Sequence, residues 1–416
     1  MTRITTLTAL FLTCAALAAC GGGGGGGDSS TTNPVTPPPP PAQAVVTNFN
    51  ASGATPTEAH AVVSGESIVL NWSTENASSC TLSGGNASDV LAFGQQTLTA
   101  PTVTAPTVNT YSLVCGNSAI ATTSIQVLPT KTAIPDAGLQ HALQAQGLTV
   151  GTDGTIDTTA ALAVTDLEIQ QDYGIVDLTG LAAFQGLTKL QIWHNTALTN
   201  VSDVSSLTSL TWLDIWTGAF TSIDVSRLTN LTTLGVSMID GLPTVDISKN
   251  VKLTELDFQN DNDDVNTPWG KTKGLTSLDI SHNVNLERVY IGLNLLSSID
   301  TFKNAHLAEA WFEGNQFTSL DFSHNSQLTY AVLYSCPKLT TLNLKGINSG
   351  GLPDRLNLDS DLALTAVNVT NPTQYTNWLA TATQTPGTLP DGSTDVLYNG
   401  AGGIAMMLPA NVVFSQ

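Results

Sequence analysis

The 416-residue chain carries 13 Lys+Arg against 33 Asp+Glu, a net charge of −20 at pH 7. Phosphate binding needs clustered cations and none occur, which argues against nucleic acid as a partner. With only 11% charged residues, the surface must be solvated by the abundant Ser, Thr and Asn, and the length allows two or three domains.

At the start, Arg3 precedes an apolar run from Leu7 to Ala19 that is too short to span a bilayer. The run ends Leu17-Ala18-Ala19-Cys20, which resembles a bacterial lipobox. The resemblance implies removal of residues 1–19 and lipidation of Cys20; an ordinary signal peptide with an incidental cysteine is the competing reading. Residues 20–43 then form a tether in which Gly21–Gly27 supply flexible coil and Pro37–Pro41 a stiff spacer. Gly21, not Asp, follows the cysteine, and by resemblance this favours lipid anchoring in the outer membrane with exposure at the cell surface. No later apolar run reaches spanning length, so contact with the membrane is expected through the anchor only.

Residues 44–129 alternate as short strands do. Ile68, Leu70 and Trp72 share one face, as do Tyr111, Leu113 and Cys115, and Ser83-Gly84-Gly85-Asn86 marks a turn. The words Leu70-Asn71-Trp72-Ser73, Ser79-Cys80 and Thr110 to Cys115 resemble bacterial immunoglobulin-like domains, which implies a small β-sandwich. The tryptophan precedes both cysteines instead of lying between them, so the strand order stays open. An oxidising compartment would pair Cys80 with Cys115. Closing this loop would stabilise by roughly 3–4 kcal/mol. A spacer is the expected role.

Residues 130–166 read as an N-terminal cap. Ile134-Pro135-Asp136, then Leu139, Ala142 and Leu143, then Gly147, suggest a short amphipathic helix with Pro135 in its first turn and Gly147 at its stop. Gly151 to Asp157 sits where relatives of such a cap carry a calcium loop. Only Asp153 and Asp157 remain as oxygen ligands, which reads better as a structural turn than as a metal site.

From residue 167 to 370 the chain repeats Leu-Thr-x-Leu-x-Ile, and the repeat sets the fold. The central apolar residues Leu167, Leu190, Leu213, Leu234, Leu256, Val289, Ala310, Ala331 and Val367 are 23, 23, 21, 22, 33, 21, 21 and 36 residues apart. The two long intervals are read as insertions, one holding Asp261-Asn262-Asp263-Asp264 and Trp269, the other Gly350-Gly351-Leu352-Pro353. The wording of Gly174–Leu181, Leu198–Val204 and Leu275–Asn283 resembles internalin-like leucine-rich-repeat surface proteins of bacteria. That resemblance covers residues 131 to about 370. It implies a mainly β fold, a solenoid whose short strands form a parallel sheet on a concave side. It also implies a ladder of Asn or Cys at Asn195, Asn294, Asn315 and Cys336, making Cys336 a buried structural residue. Residues 371–416, with Tyr375, Trp378 and Leu379, are assigned to a C-terminal cap or tail.

No nucleophile elbow, HExxH helix, phosphate loop or Cys/His cluster occurs, so no catalytic residue, metal or cofactor is expected. His282 and His324 both stand before an Asn in the same repeat position, and the repeat accounts for them. The informative residues are aromatic. Trp193, Trp212, Trp216, Tyr290, Trp311, Tyr330 and Tyr334 fall at positions flanking the apolar strand pairs, whereas the equivalent convex positions around Asp224, Asp246, Asp279 and Asp321 hold only Ser, Thr and Asp. Exposed aromatics gathered on one face mark a binding surface. The expected ligand is an extracellular or envelope protein or a glycan. A non-selective envelope spacer is the second reading. The third is a polysaccharide-active enzyme using Asp214, Glu255, Asp257, Glu309 or Glu313, although a solenoid is expected to offer no closed pocket.

Overall fold

A computed structural model describes residues 43–53, 61–84, 88–116, 119–239, 241–260, 273–347, 353, 355–358, 363–370, 372–373, 377, 383–388, 394–399, 405–408 and 413–415. The Cys20 anchor, the Gly/Pro tether, the acidic insert Asp261–Asp264 with Trp269, and Tyr375, Trp378 and Leu379 lie outside the described residues. Among the described residues no helix is long and apolar enough to cross a membrane.

Eight strands open the chain: β1 Val45–Gly53, β2 Ala61–Val63, β3 Ser67–Glu75, β4 Ser79–Ser83, β5 Ser88–Leu91, β6 Phe93–Thr99, β7 Thr107–Cys115 and β8 Ala119–Leu128. They form two sheets, β1-β3-β6 and β2-β8-β7-β4-β5, with one core between them. Ile68, Leu70 and Trp72 enter that core from the first sheet, and Leu82, Leu113 and Val127 from the second. Burial of the indole leaves its N–H needing an acceptor, and it donates to the Leu91 carbonyl at 2.9 Å. Cys80 and Cys115 are disulfide-bonded, 4.2 Å apart at Cα. They are direct partners on the adjacent strands β4 and β7, so the bond joins neighbours within one sheet.

Strands β9 Lys131–Ala133 and β10 Thr155–Asp157 pair antiparallel around α1 Ala137–Ala145. Asp136 caps α1: its Oδ1 accepts the Leu139 N–H at 2.8 Å, while Oδ2 accepts the Val176 and Asp177 N–H groups at 3.0 and 3.1 Å. Pro135 therefore precedes the N-cap and is not in the first turn, a correction of two positions. Gly147 follows the C-cap at φ +87°, where glycine avoids the steric cost of left-handed backbone. Leu139, Ala142 and Leu143 join the same core as the coils that follow. Asp153 accepts the Thr155 N–H and hydroxyl, and Asp157 caps α2 Thr158–Leu162 by accepting the Ala160 N–H.

The coils then stack. Strands β11 Asp166–Ile169, β12 Lys189–Trp193, β13 Trp212–Trp216, β14 Thr233–Ser237, β15 Glu255–Asp257, β16 Arg288–Tyr290 and β17 Glu309–Trp311 run parallel, Leu167 opposite Leu190, Leu190 opposite Leu213, and so on to Ala310. After β17 the chain alternates between two sheets. The first continues through β19 Tyr330–Val332 and β21 Arg355–Asn357; the second begins with β18 Ser319–Asp321, β20 Thr341–Asn343 and β22 Ala366–Asn368. Strands β23 Thr383–Thr388 and β24 Thr394–Asn399 form a hairpin, β25 Ala405–Leu408 joins β21, and β26 Val413–Ser415 joins β22.

Val367 thus belongs to the second sheet, opposite Leu342, and the next member of the first sheet after Ala331 is Leu356. Both sheets bury alternate residues against one core, so the apolar period is the same on either side. The apparent 36-residue interval comes from changing sheets; within each sheet the step is 25 residues, from Ala331 to Leu356 and from Leu342 to Val367.

Polar ladders fix the stacking. The Thr that precedes β12, β13, β14 and β15 donates its hydroxyl to the corresponding carbonyl one coil back: Thr188 to Thr165, Thr211 to Thr188, Thr232 to Thr211, and Thr254 to Thr232, at 3.1–3.2 Å. Asn195, Asn294 and Asn315 are buried. In the last, Oδ1 accepts the Leu296 N–H at 3.0 Å and Nδ2 donates to the carbonyls of Ile291 and Phe312. Buried Cys336 continues the ladder, its Sγ–H directed at the Phe312 carbonyl at 3.6 Å. A second ladder, unforeseen from the sequence, runs through Asn250, Asn283, Asn304 and Asn325, each donating to the carbonyl of the preceding member from Asn283 onward. Beside it, Asp224, Asp246 and Asp279 accept the N–H of Ser226, Ser248 and Ser281, and the serine hydroxyls and these N–H groups together hold the carboxyls below the ordinary range.

Candidate functional site

Alternation along β13 buries Leu213 and Ile215 and turns Trp212, Asp214 and Trp216 outward; both tryptophans remain 37% exposed. The same face carries Lys189, Gln191 and Trp193 on β12, and Thr233, Gly235 and Ser237 on β14. Farther along come Glu255 and Asp257 on β15, Arg288 and Tyr290 on β16, and Glu309 and Trp311 on β17. All seven aromatics singled out in the sequence are exposed or half-buried at this face or its edge; Tyr334 stands in the turn after β19.

The aromatics do not form one continuous row. Trp193 and Trp216 meet edge-to-face at 6.0 Å, and the Lys189 ammonium lies 5.7 Å from the Trp212 ring. Four strands on, Tyr290 meets Trp311 edge-to-face at 5.6 Å, Trp311 stacks on Tyr330 at 5.7 Å, and the Arg355 guanidinium covers Tyr330 at 5.5 Å. Burial and a bond to Glu309 raise the Tyr290 phenol well above its ordinary value, so it stays a donor. Between the two clusters, β14 and β15 supply no ring at all.

That gap is a cleft of about 490 Å³, lined by Trp193, Asp214, Trp216, Ser237, Met238, Asp257 and Gln259. The expectation that a solenoid offers no closed pocket is met by an open cleft on the sheet face. Gly235 lies in register between Asp214 and Asp257. It is buried beneath the Asp214 side chain, and a Cβ there would come within 2.6 Å of Asp214 Oδ1. The two aspartates stand two strands apart, roughly 10 Å at the backbone from the usual strand spacing.

Each carboxylate is held by neutral donors. Asp214 Oδ2 accepts the Trp193 indole N–H at 2.9 Å and a longer contact from Gln191 at 3.4 Å. Asp257 Oδ1 accepts the Ser237 hydroxyl at 2.8 Å and the Gln259 N–H at 3.1 Å. Burial nevertheless pushes both carboxyls above the ordinary range, outweighing these bonds, and nearby Glu255 pushes each further. The cations of the adjacent strands are engaged elsewhere. Lys189 is ion-paired with Glu168, and Arg288 holds Glu255 through Nε and Nη2 at 2.8 and 2.7 Å. Among the described residues no cluster of three or more His, Cys, Asp or Glu could hold a metal ion.

Sequence reasoning named Asp214 and Asp257 only as candidate carboxylates and missed Gly235, Ser237, Met238 and Gln259. The available signal was a glycine at the outward centre of a strand, aligned with aspartates one coil before and one coil after.

Parallel strands in continuous register, a leucine core and an asparagine ladder define a leucine-rich-repeat solenoid. Neither a protein-family model nor a curated relative matches the sequence. Solved structures similar to it include an internalin of Listeria monocytogenes, at 16% identity over 58% of this chain and 92% of that one, with a TM-score of 0.26. A leucine-rich-repeat protein of Leptospira interrogans is 16% identical over 50% and 73%, with a TM-score of 0.27. The leucine-rich-repeat domain of the type III effector XopL is 13% identical over 66% and 89%, with a TM-score of 0.36. The assignment of fold rests on the chain's own register and ladders.

Proposed function

We propose that the chain is an envelope-anchored recognition protein whose solenoid binds a protein or glycan ligand on the outward face of its first sheet. The observation that carries this reading is the face itself. Trp212 and Trp216 remain 37% exposed while every alternate residue of the same strand is buried, and the opposite ladder offers only Ser, Thr and Asp. Folding gains nothing from keeping large rings in water, whereas binding does. The anchor at Cys20 and the two-sheet domain, taken as an immunoglobulin-like spacer, would hold this face away from the outer membrane. A non-selective spacer would not need exposed tryptophans. A glycan-cleaving enzyme would use its two carboxylates as acid and base with pKa values moved apart; Asp214 and Asp257 are both moved upward.

The test is a glycan array and a surface-protein pulldown with the full chain, Trp212→Ala, Trp311→Ala and Leu213→Ala. Loss of a central ring should weaken capture by roughly thirtyfold, equivalent to about 2 kcal/mol. Its stability cost should stay below about 1 kcal/mol, against about 2–5 kcal/mol for buried Leu213. Undiminished capture by both tryptophan variants would remove the binding role from this face.

A further inference from the structure

The cleft between the aromatic clusters has a chemistry that the rings alone do not explain. Two carboxylates from the strands on either side of Gly235 line it, two indoles close one side, and the side chain of Met238 lines the wall. The donors that reach Asp214 and Asp257 are neutral, and the basic side chains on β12 and β16 are tied to Glu168 and Glu255. Two carboxylates thus stand partly desolvated in a concave site, and among the described residues Lys189, itself paired with Glu168, acts on Asp214 only from a distance. Removing the carboxylates from water is unfavourable unless opposite charge arrives with the ligand. An anion is excluded by the same charges. A neutral sugar could accept and donate hydrogen bonds there but would leave the repulsion between the carboxylates in place. A divalent metal would need more oxygen ligands than the two aspartates supply. A monovalent organic cation meets every demand at once, because indole faces attract ammonium and guanidinium groups as carboxylates do.

We propose that this cleft receives one positively charged side chain, the ammonium of a lysine or the guanidinium of an arginine, presented by a polypeptide ligand. The inference rests on the reading that this sheet face is the binding surface, and it narrows that reading to a basic protein segment. Asp214 and Asp257 supply the charge, Trp193 and Trp216 the aromatic walls, and Gly235 the room that the Asp214 carboxylate occupies. Both carboxyls sit above their ordinary range, and a cation bound between them should lower both pKa values.

The experiment titrates the full chain with hexalysine amide, its fully Nε-acetylated form and cellohexaose in 0.15 M salt, following tryptophan emission. Hexalysine should bind, and the acetylated peptide at least about thirtyfold more weakly. Asp214→Asn/Asp257→Asn, which keeps the shape of both groups, should lose about tenfold or more. Asp224→Asn/Asp246→Asn, the same charge change on the other side of the solenoid, should stay within about twofold. Equal binding of the acetylated peptide, or full-strength binding by the Asp214/Asp257 variant, would overturn the proposal; the peptide comparison does so without any variant having to fold. Binding of cellohexaose but not hexalysine, lost in Trp216→Ala, would overturn the cation and leave the binding face standing. If no probe binds and capture in the array and pulldown is indifferent to Trp212 and Trp311, both readings fail.

Discussion

Replacing Gly235 with alanine tests the cleft with one methyl group. Gly235 lies mid-strand in β14 without positive φ, so alanine can adopt its backbone. The new Cβ would lie 2.6 Å from Asp214 Oδ1 and 3.2 Å from its Cγ, too close to persist. The colliding group is the tip of a side chain, so the carboxylate should swing away while the strand stays in place. It would then give up the Trp193 indole N–H at 2.9 Å. A hydrogen bond to a charged group contributes roughly 1.5–3 kcal/mol, and removing a strand glycine returns about 0.5–1 kcal/mol of chain entropy. The expected net loss is about 1–2 kcal/mol, small for a protein whose core is otherwise untouched. Urea unfolding would measure that loss, while tryptophan emission reports the changed setting of Trp193. Titration with hexalysine should show weakening of about tenfold or more. An unchanged emission spectrum together with wild-type binding would refute the idea that Gly235 makes room for a working Asp214.

Asn315→Ala should cost about 3–5 kcal/mol, because it strands the buried Leu296 N–H and opens a void. Asn315→Cys, the residue that the next coil uses at Cys336, should cost less in the same unfolding assay. Stability should also respond to pH. Asp214 and Asp257 have raised pKa values, so their contribution is fully present below the ordinary 3.8 and is lost as pH rises through the raised values. Asp214→Asn/Asp257→Asn should therefore match or exceed the wild type in thermal scans at pH 7, with the gap closing toward pH 4; a variant markedly less stable at pH 7 contradicts this. Finally, Cys20→Ala should free the protein from the membrane fraction, and a variant that still pellets would remove the anchor reading.

Much of the fold was legible because it is periodic. Leu190, Leu213 and Leu234 announce the core, and Asn294 and Asn315 the turn that follows each strand, whereas the hydroxyl ladder of Thr188 and Thr211 was not foreseen. Val367 was misplaced because both sheets use the same alternation, and only pairing distinguishes them. The second asparagine ladder was visible in outline as His282-Asn283 and His324-Asn325, yet its function depends on carbonyls in the coil before. Backbone conformation was less legible still. His194, Thr217, Met238, Leu293 and Ser335 all have φ between 57° and 73°, and only Gly314 in that column carries the expected glycine. The column recurs coil after coil, so the repeat imposes it and the cleft does not. The cleft itself was hidden because Asp214 and Asp257 become neighbours across Gly235 only when coils are laid side by side.

The second ladder also governs how this molecule can change length. Asn304 gives its amide hydrogens to the carbonyls of Ile280 and Asn283, and Asn325 gives its own to Thr301 and Asn304, one 21-residue coil later. Excising residues 284–304 would present Asn325 with the acceptors that Asn304 uses now. Whole coils are therefore interchangeable modules, and duplication or loss of one lengthens or shortens the first sheet by about 4.8 Å. A larger gain that is not a whole coil must be taken up outside the ladder, which still pairs Asn283 with Asn250 across 33 residues. Reach along a ligand can then evolve in discrete steps, without redesign of the core that carries it.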